Sequence, residues 1–168
     1  MRSSSLLSSL LVLLIVSGCG APPAPAQVTV RVPDTTRLRV AETTPVPITV
    51  EGLAGEDVFS WEFELRYDEA VLDTVELETQ GTLAEGRRVA INQAEPGRLT
   101  AAVAGTAPVA HGGVLLFLRV RGGSAGTSPV TWEAFQFNEG MPAVETRDGR
   151  ITVRPAGEAG PSSDEGQP

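Results

Sequence analysis

The chain has 168 residues, 41% of them apolar, and a formal net charge of −8. That length fits one domain, and the excess of acid repels nucleic acid and anionic headgroups over most of the surface. All 13 basic residues are arginine, which removes Schiff-base and lysine-base chemistry. The single cysteine, Cys19, leaves no intrachain disulfide, so the fold must hold by burial.

The chain opens on a leader. Arg2 supplies a positive start, residues 6–16 form an 11-residue apolar stretch, and small residues follow, which are the three parts of a secretory signal. The stretch is too short to span a bilayer, which needs about 20 residues. The order Val16-Ser17-Gly18-Cys19 resembles the lipobox of bacterial lipoproteins. That resemblance implies cleavage after residue 18, acylation of Cys19 and export to the cell envelope, at the outer membrane in a Gram-negative cell. Two acyl chains already give stable anchoring. Loss of the leader leaves 12 arginines against 21 acids, a charge of −9. Residues 19–27 carry spaced prolines (Pro22, Pro23, Pro25) and read as an extended tether. At the other end, residues 155–168 are Gly, Ser, Pro and acid, with nothing to bury, and read as a disordered tail.

The stretch from 28 to 154 reads as strands throughout. Residues 27–32, 37–40 and 46–50 cluster or alternate β-branched side chains between turn formers. The clearest strand is 58–67, where Phe59, Trp61, Phe63, Leu65 and Tyr67 fall on one side and Ser60, Glu62, Glu64 and Arg66 on the other. This is the period of two of a half-buried strand, so the first set is expected in the core and the second in solvent. Residues 68–72 form a single helix-like turn. Further strands are expected at 74–78, 88–93, 98–104, 114–121, 129–137 and 150–153, separated by Gly81, Pro96-Gly97, Gly112-Gly113, Gly122-Gly123 and Asp148-Gly149. Many short strands without intervening helices mean an all-β sandwich or jelly roll.

Three motifs in order narrow this further. They are Tyr67-Asp68-Glu69-Ala70-Val71-Leu72, the run from Gly113 to Val120, and Phe137-Asn138-Glu139-Gly140 followed by Asp148-Gly149-Arg150-Ile151-Thr152-Val153. Together they make residues 28–153 resemble the cohesin domain. The resemblance implies a single antiparallel jelly-roll sandwich of about nine strands, the last motif being its closing hairpin. It also implies a non-catalytic role and binding of a dockerin, a small calcium-loaded helical module, on an exposed sheet face. Carried over to this chain, that face includes Ser60, Glu62, Glu64 and Arg66, with Glu62 at a position where the family often has an acidic or polar contact.

Other residues compete for a role. In 114–121 strict alternation places Val114, Leu116, Leu118 and Val120 inside and Leu115, Phe117, Arg119 and Arg121 outside, so Leu115 and Phe117 are candidates for a partner surface. The alternative is that a neighbouring loop covers them or that the strand is buried on both sides. Trp132 points outward by alternation from Phe135 and Phe137, which would suit sugar stacking, or inward if a bulge lies near Ala134, as the cohesin resemblance favours. His111 is the only histidine and offers no zinc set. Glu62 and Glu64 lie about 7 Å apart along one strand face, a glycosidase-like spacing, but an open face lacks the cleft that raises an acid's pKa. No enzyme, cofactor or metal site is expected. The reading is a monomeric, membrane-tethered protein-binding module, with polysaccharide binding or a structural envelope spacer as alternatives.

Overall fold

The computed structural model describes residues 27–157. The leader, Cys19, the tether up to residue 26 and the tail from residue 158 lie outside the described residues. The described residues form eleven strands and no helix: β1 (Val28–Arg31), β2 (Thr36–Arg39), β3 (Thr43–Glu51), β4 (Val58–Arg66), β5 (Leu72–Glu78), β6 (Arg88–Asn92), β7 (Arg98–Val109), β8 (Gly113–Gly122), β9 (Gly126–Phe137), β10 (Val144–Arg147) and β11 (Gly149–Arg154). They make two sheets, β10-β1-β3-β8-β5 and β2-β11-β9-β4-β7-β6. The chain changes sheet at every connection except β6 to β7, so nearly all pairing is between strands distant in sequence.

The all-β sandwich is as expected, with two corrections. The strand count is eleven rather than the roughly nine implied by the resemblance; ten of the eleven match segments read as strands, and the short β10 escaped notice. The sheets are mixed, because β1 pairs with β10 and β2 with β11 in parallel. The closing motif is therefore not a hairpin. β9 and β11 do pair antiparallel, but β10 lies between them in sequence and belongs to the other sheet. The first and last segments run side by side and cross between sheets together, tied by Val32 N–H to Arg147 O (3.1 Å) and Arg150 N–H to Pro33 O (3.3 Å). Only glycine fits at that crossing: a Cβ on Gly149 would sit 2.5 Å from Pro33 O.

The core lies between the sheets, with Trp61, Phe63, Leu65, Leu99 and Phe137 from one and Val30, Ile48, Leu72, Leu116 and Leu118 from the other. The Tyr67–Leu72 motif acts as a corner. Asp68 Oδ1 accepts from Ala70 N–H (2.9 Å), Asp68 O accepts from Leu72 N–H (2.9 Å), and the chain passes from β4 into the opposite sheet as β5. Asp68 N–H in turn donates to the fully buried Ser128 hydroxyl (2.8 Å).

Three expectations about facing fail at bulges, the third being Val114, which was expected inside but pairs with the outward Thr49 and is only half-buried. Phe59 is 42% exposed instead of buried, because the register of β4 on β7 shifts between Val58 and Ser60 and Val58 takes the inward place. Leu115 is 1% exposed and belongs to the core, not to a surface. The register of β3 on β8 shifts between Ile48, paired with Leu116, and Thr49, paired with Val114, so Leu115 is an extra residue and turns inward beside Leu116. Residues 82–84 close over this stretch, with Leu83 N–H on Val114 O (2.8 Å) and Ala84 N–H on Leu115 O (3.0 Å).

Candidate functional site

The outward side chains of β4 sit in the middle of the six-stranded sheet, and cross-strand register lines them up with those of β6, β7 and β9. One row reads Ala90, Ala102, Glu62, Gln136, and the next reads Asn92, Thr100, Glu64, Ala134. Strands lie roughly 4.8 Å apart, so alanine at three of these eight positions leaves the surface unfilled. The result is an open concavity of about 460 Å³ over these two rows. Methyl groups form its floor and the two glutamates stand within it.

The acids differ in their partners. Glu62 accepts a hydrogen bond from Gln136 Nε2, a neutral group. Glu64 is ion-paired with Arg98, which also holds Glu95 at 2.9 Å and lies 3.7 Å from Glu133. Arg66 pairs with Glu133. Glu133 reaches this cluster because it is the bulged residue of β9: Glu64 opposes Ala134 and Leu65 opposes Trp132, leaving Glu133 between them free to swing onto the outer face. Glu133 is held below the ordinary carboxylate range, first by its hydrogen bond with the Glu64 carboxyl and then by Arg66. Arg98 is raised above the usual guanidinium value, chiefly by its hydrogen bonds to Glu95 and Glu64. The site thus has an ordered, charge-compensated end at Arg66 and Arg98, and a second acid, Glu62, beside the alanine floor.

At the opposite end of β4, Ser60 is half-buried. Its N–H and that of Phe59 both donate to Asn138 Oδ1 (3.3 and 2.9 Å), while Ser60 O accepts from Asn138 N–H (2.8 Å). Asn138 adopts φ +44°, a conformation asparagine tolerates, and its amide also donates to Met141 O (3.2 Å). Beneath this end lies Arg87, which sequence reading passed over. Its guanidinium donates to Leu83 O (2.9 Å), Phe59 O (3.0 Å) and Ala107 O (2.6 Å) and stacks 5.3 Å from the Trp61 ring centroid. It stitches residues 83–87 to β4 and β7.

The expected site residues therefore divide. Ser60, Glu62, Glu64 and Arg66 share one outer face. Phe117 is half-buried on the outer face of the other sheet, between Pro47 of β3 and Glu78 of β5, and Leu115 is in the core. Trp132 is turned by the bulge next to Ala134. It is half-buried, edge-on to Phe63 and Phe135 at 5.8 and 5.4 Å, with Nε1–H donating to Arg147 O (2.9 Å). That engaged ring presents no stacking platform. Sequence reading missed Ala90, Ala102, Ala134 and Arg98 as members of the site. A signal existed in β7, where Thr100, Ala102 and Ala104 alternate with Leu99, Ala101 and Val103, but only the pairing shows what the small residues adjoin. Among the described residues no group of three or more His, Cys, Asp or Glu is placed to hold a metal.

The family model for the cohesin domain matches residues 28–153. The chain belongs to the cohesin family. Solved cohesins share its fold. The CaCohA2 cohesin of Clostridium acetobutylicum in solution superposes with a TM-score of 0.66 at 20% identity, covering 80% of this chain and 94% of that one. The OlpA cohesin of Clostridium thermocellum, in a complex with a dockerin, gives 0.64 at 15% identity, covering 76% and 99%. A non-cellulosomal cohesin of the archaeon Archaeoglobus fulgidus gives 0.63 at 18%, covering 77% and 92%. No curated protein matches the chain. At these identities the likeness is one of fold.

Proposed function

We propose that this cohesin is a non-catalytic, lipid-anchored binding module that takes a dockerin-type protein on the outer face of its six-stranded sheet. The observation that carries this reading is the alanine-floored concavity with Glu62 and Glu64 inside it. A floor of methyl groups lets a partner helix approach the sheet closely, and helices laid in apolar grooves are a recurring mode of recognition. The ion-paired end at Arg66, Arg98 and Glu133 fixes register, while Glu62 faces a basic group of the partner; charges arranged this way set specificity and association rate more than affinity. Family membership and the dockerin complexes formed by cohesins of the same fold support the choice of partner. Acylation of Cys19 at the lipobox-like sequence would hold the domain at the envelope on its proline-rich tether.

The test is capture of proteins from the source cell by the full chain, in calcium and in chelator, with Ala102→Trp as the blocked shelf. Calcium-dependent capture is expected, and Ala102→Trp should weaken it by about 100-fold, the effect of obstructing the centre of an interface. Equal capture by Ala102→Trp would place the partner elsewhere. In the same preparations Cys19→Ala should move the chain from the membrane to the soluble fraction; retention of that variant in membranes would refute the acyl anchor.

A further inference from the structure

The two sheets have four marginal strands, and three of them carry charge along their length. β2 exposes Arg37 and Arg39, β5 exposes Asp73 and Glu76, and β10 carries Glu145 and Arg147. Such charges discourage another strand from pairing. β6 has none beyond Arg88 at its start. It continues Val89, Ala90, Ile91, Asn92, and Ile91 is 50% exposed. Ile91 has the inward parity: it opposes Ala101, which opposes Phe63, which opposes Phe135. The apolar row of the sheet therefore runs out to an open margin and stops there, with the outward backbone groups of β6 facing no described strand.

We propose that β6 accepts an extended segment of a partner protein as a seventh strand of this sheet, a segment alternating apolar with basic residues. The apolar side chains would continue the inward row beside Ile91 and Val89. The basic ones would emerge on the outer face, where the floor of the concavity intervenes between the margin and Glu62. Three strand spacings separate the added strand from β4, roughly 14 Å. An arginine or lysine laid over Ala90 and Ala102 spans much of that distance with its aliphatic stem on methyl groups and its charge toward Glu62. A second copy of this chain fits less well. Antiparallel pairing of two β6 strands offers no basic side chain beyond Arg88 to reach toward Glu62, and it joins two bodies of like net charge. This mode goes beyond shelf docking, because it needs a backbone edge and no helix.

The experiment uses the full chain and a fluorescent six-residue peptide alternating arginine and valine, read by anisotropy at low and physiological salt. A version N-methylated on its pairing edge serves as the control. Binding of the plain peptide and none of the N-methylated one is expected, since main-chain hydrogen bonds carry strand addition. Ile91→Lys should weaken binding about tenfold and Glu62→Gln about threefold, by installing a charged margin in one case and removing a charge partner in the other. Equal binding of the N-methylated peptide would reduce the effect to charge and overturn the proposal, as would an unaltered affinity in Ile91→Lys. Sedimentation showing self-association of the peptide-free chain that Ile91→Lys abolishes would make a second copy the occupant. Capture of a dockerin-type protein without peptide binding removes this proposal alone, and the converse removes the shelf reading alone.

Discussion

The outer faces of the two sheets differ in how completely they are filled. On the five-stranded sheet the cross-strand rows read Pro47, Phe117, Glu78 and Pro45, Arg119, Glu76, so each position carries a side chain large enough to touch its neighbour. Arg121 pairs with Asp73 at 2.7 Å on the same face. The prolines are tolerated because β1 pairs with β3 only from Thr49 to Glu51, so Pro45 and Pro47 lie beyond that neighbour. On the six-stranded sheet alanines occupy the equivalent places and leave about 460 Å³ open. One face is finished as a solvated surface. The other is left open, and the proposed site rests on that difference in packing rather than on charge.

The sharpest way to break that contrast concerns the two residues of β8 that strict alternation treats alike. Leu115→Ala should cost about 3 kcal/mol in denaturant unfolding, as for a leucine removed from a close-packed core, since Leu115 is 1% exposed. Phe117→Ala, on the filled face, should cost about 1 kcal/mol, and neither change should alter partner affinity once folded. A cost below 1 kcal/mol for Leu115→Ala would return that residue to the surface and undo the bulge.

A second comparison uses charge reversal. Glu62→Arg on the open face should slow association with a captured partner about tenfold and weaken its dependence on salt, because the acid steers encounter. Glu76→Arg on the filled face should leave the rate within a factor of about two. Equal effects from the two substitutions, followed by stopped flow, would mean that net charge acts and the shelf does not.

Much of the fold was legible because burial imposes a period of two. The core places of Trp61, Phe63 and Leu65, and the outward set Glu62, Glu64 and Arg66, follow from alternation alone. Each misplaced side chain sits at a register shift: Phe59 at Val58/Ser60, and Leu115 and Val114 opposite Ile48/Thr49. A bulge adds one residue to the count and leaves no compositional mark. The bulge beside Ala134 was foreseen for Trp132 only through the cohesin resemblance. The floor of the site was illegible for another reason. Ala90, Ala102 and Ala134 come from three strands, and two of the strand pairs that align them join segments far apart in sequence. A small residue signals a hollow only when its neighbours are known. The motif Tyr67 to Leu72 proves to be a corner between sheets, and none of its residues lines the concavity.

The smallest expected effect is also the one that separates ionic order from packing on the open face. Glu133 has its carboxyl held below the ordinary range by its hydrogen bond with the Glu64 carboxyl and by Arg66. A carboxyl lowered on folding adds stability that is present above its unfolded value, about 4.3 for glutamate, and is lost as pH falls through the folded one. The melting difference between the unaltered chain and Glu133→Gln should therefore be constant at neutral pH and shrink as the solution is acidified below about 4. Glu76→Gln supplies the reference from the opposite face. The difference should be small throughout, since solvent-exposed ion pairs contribute little. A gap that persists undiminished at acid pH would mean that Glu133 holds Arg66 and Arg98 by contact and shape, and the charged end of the shelf would then be a rigid wall and not an electrostatic register mark.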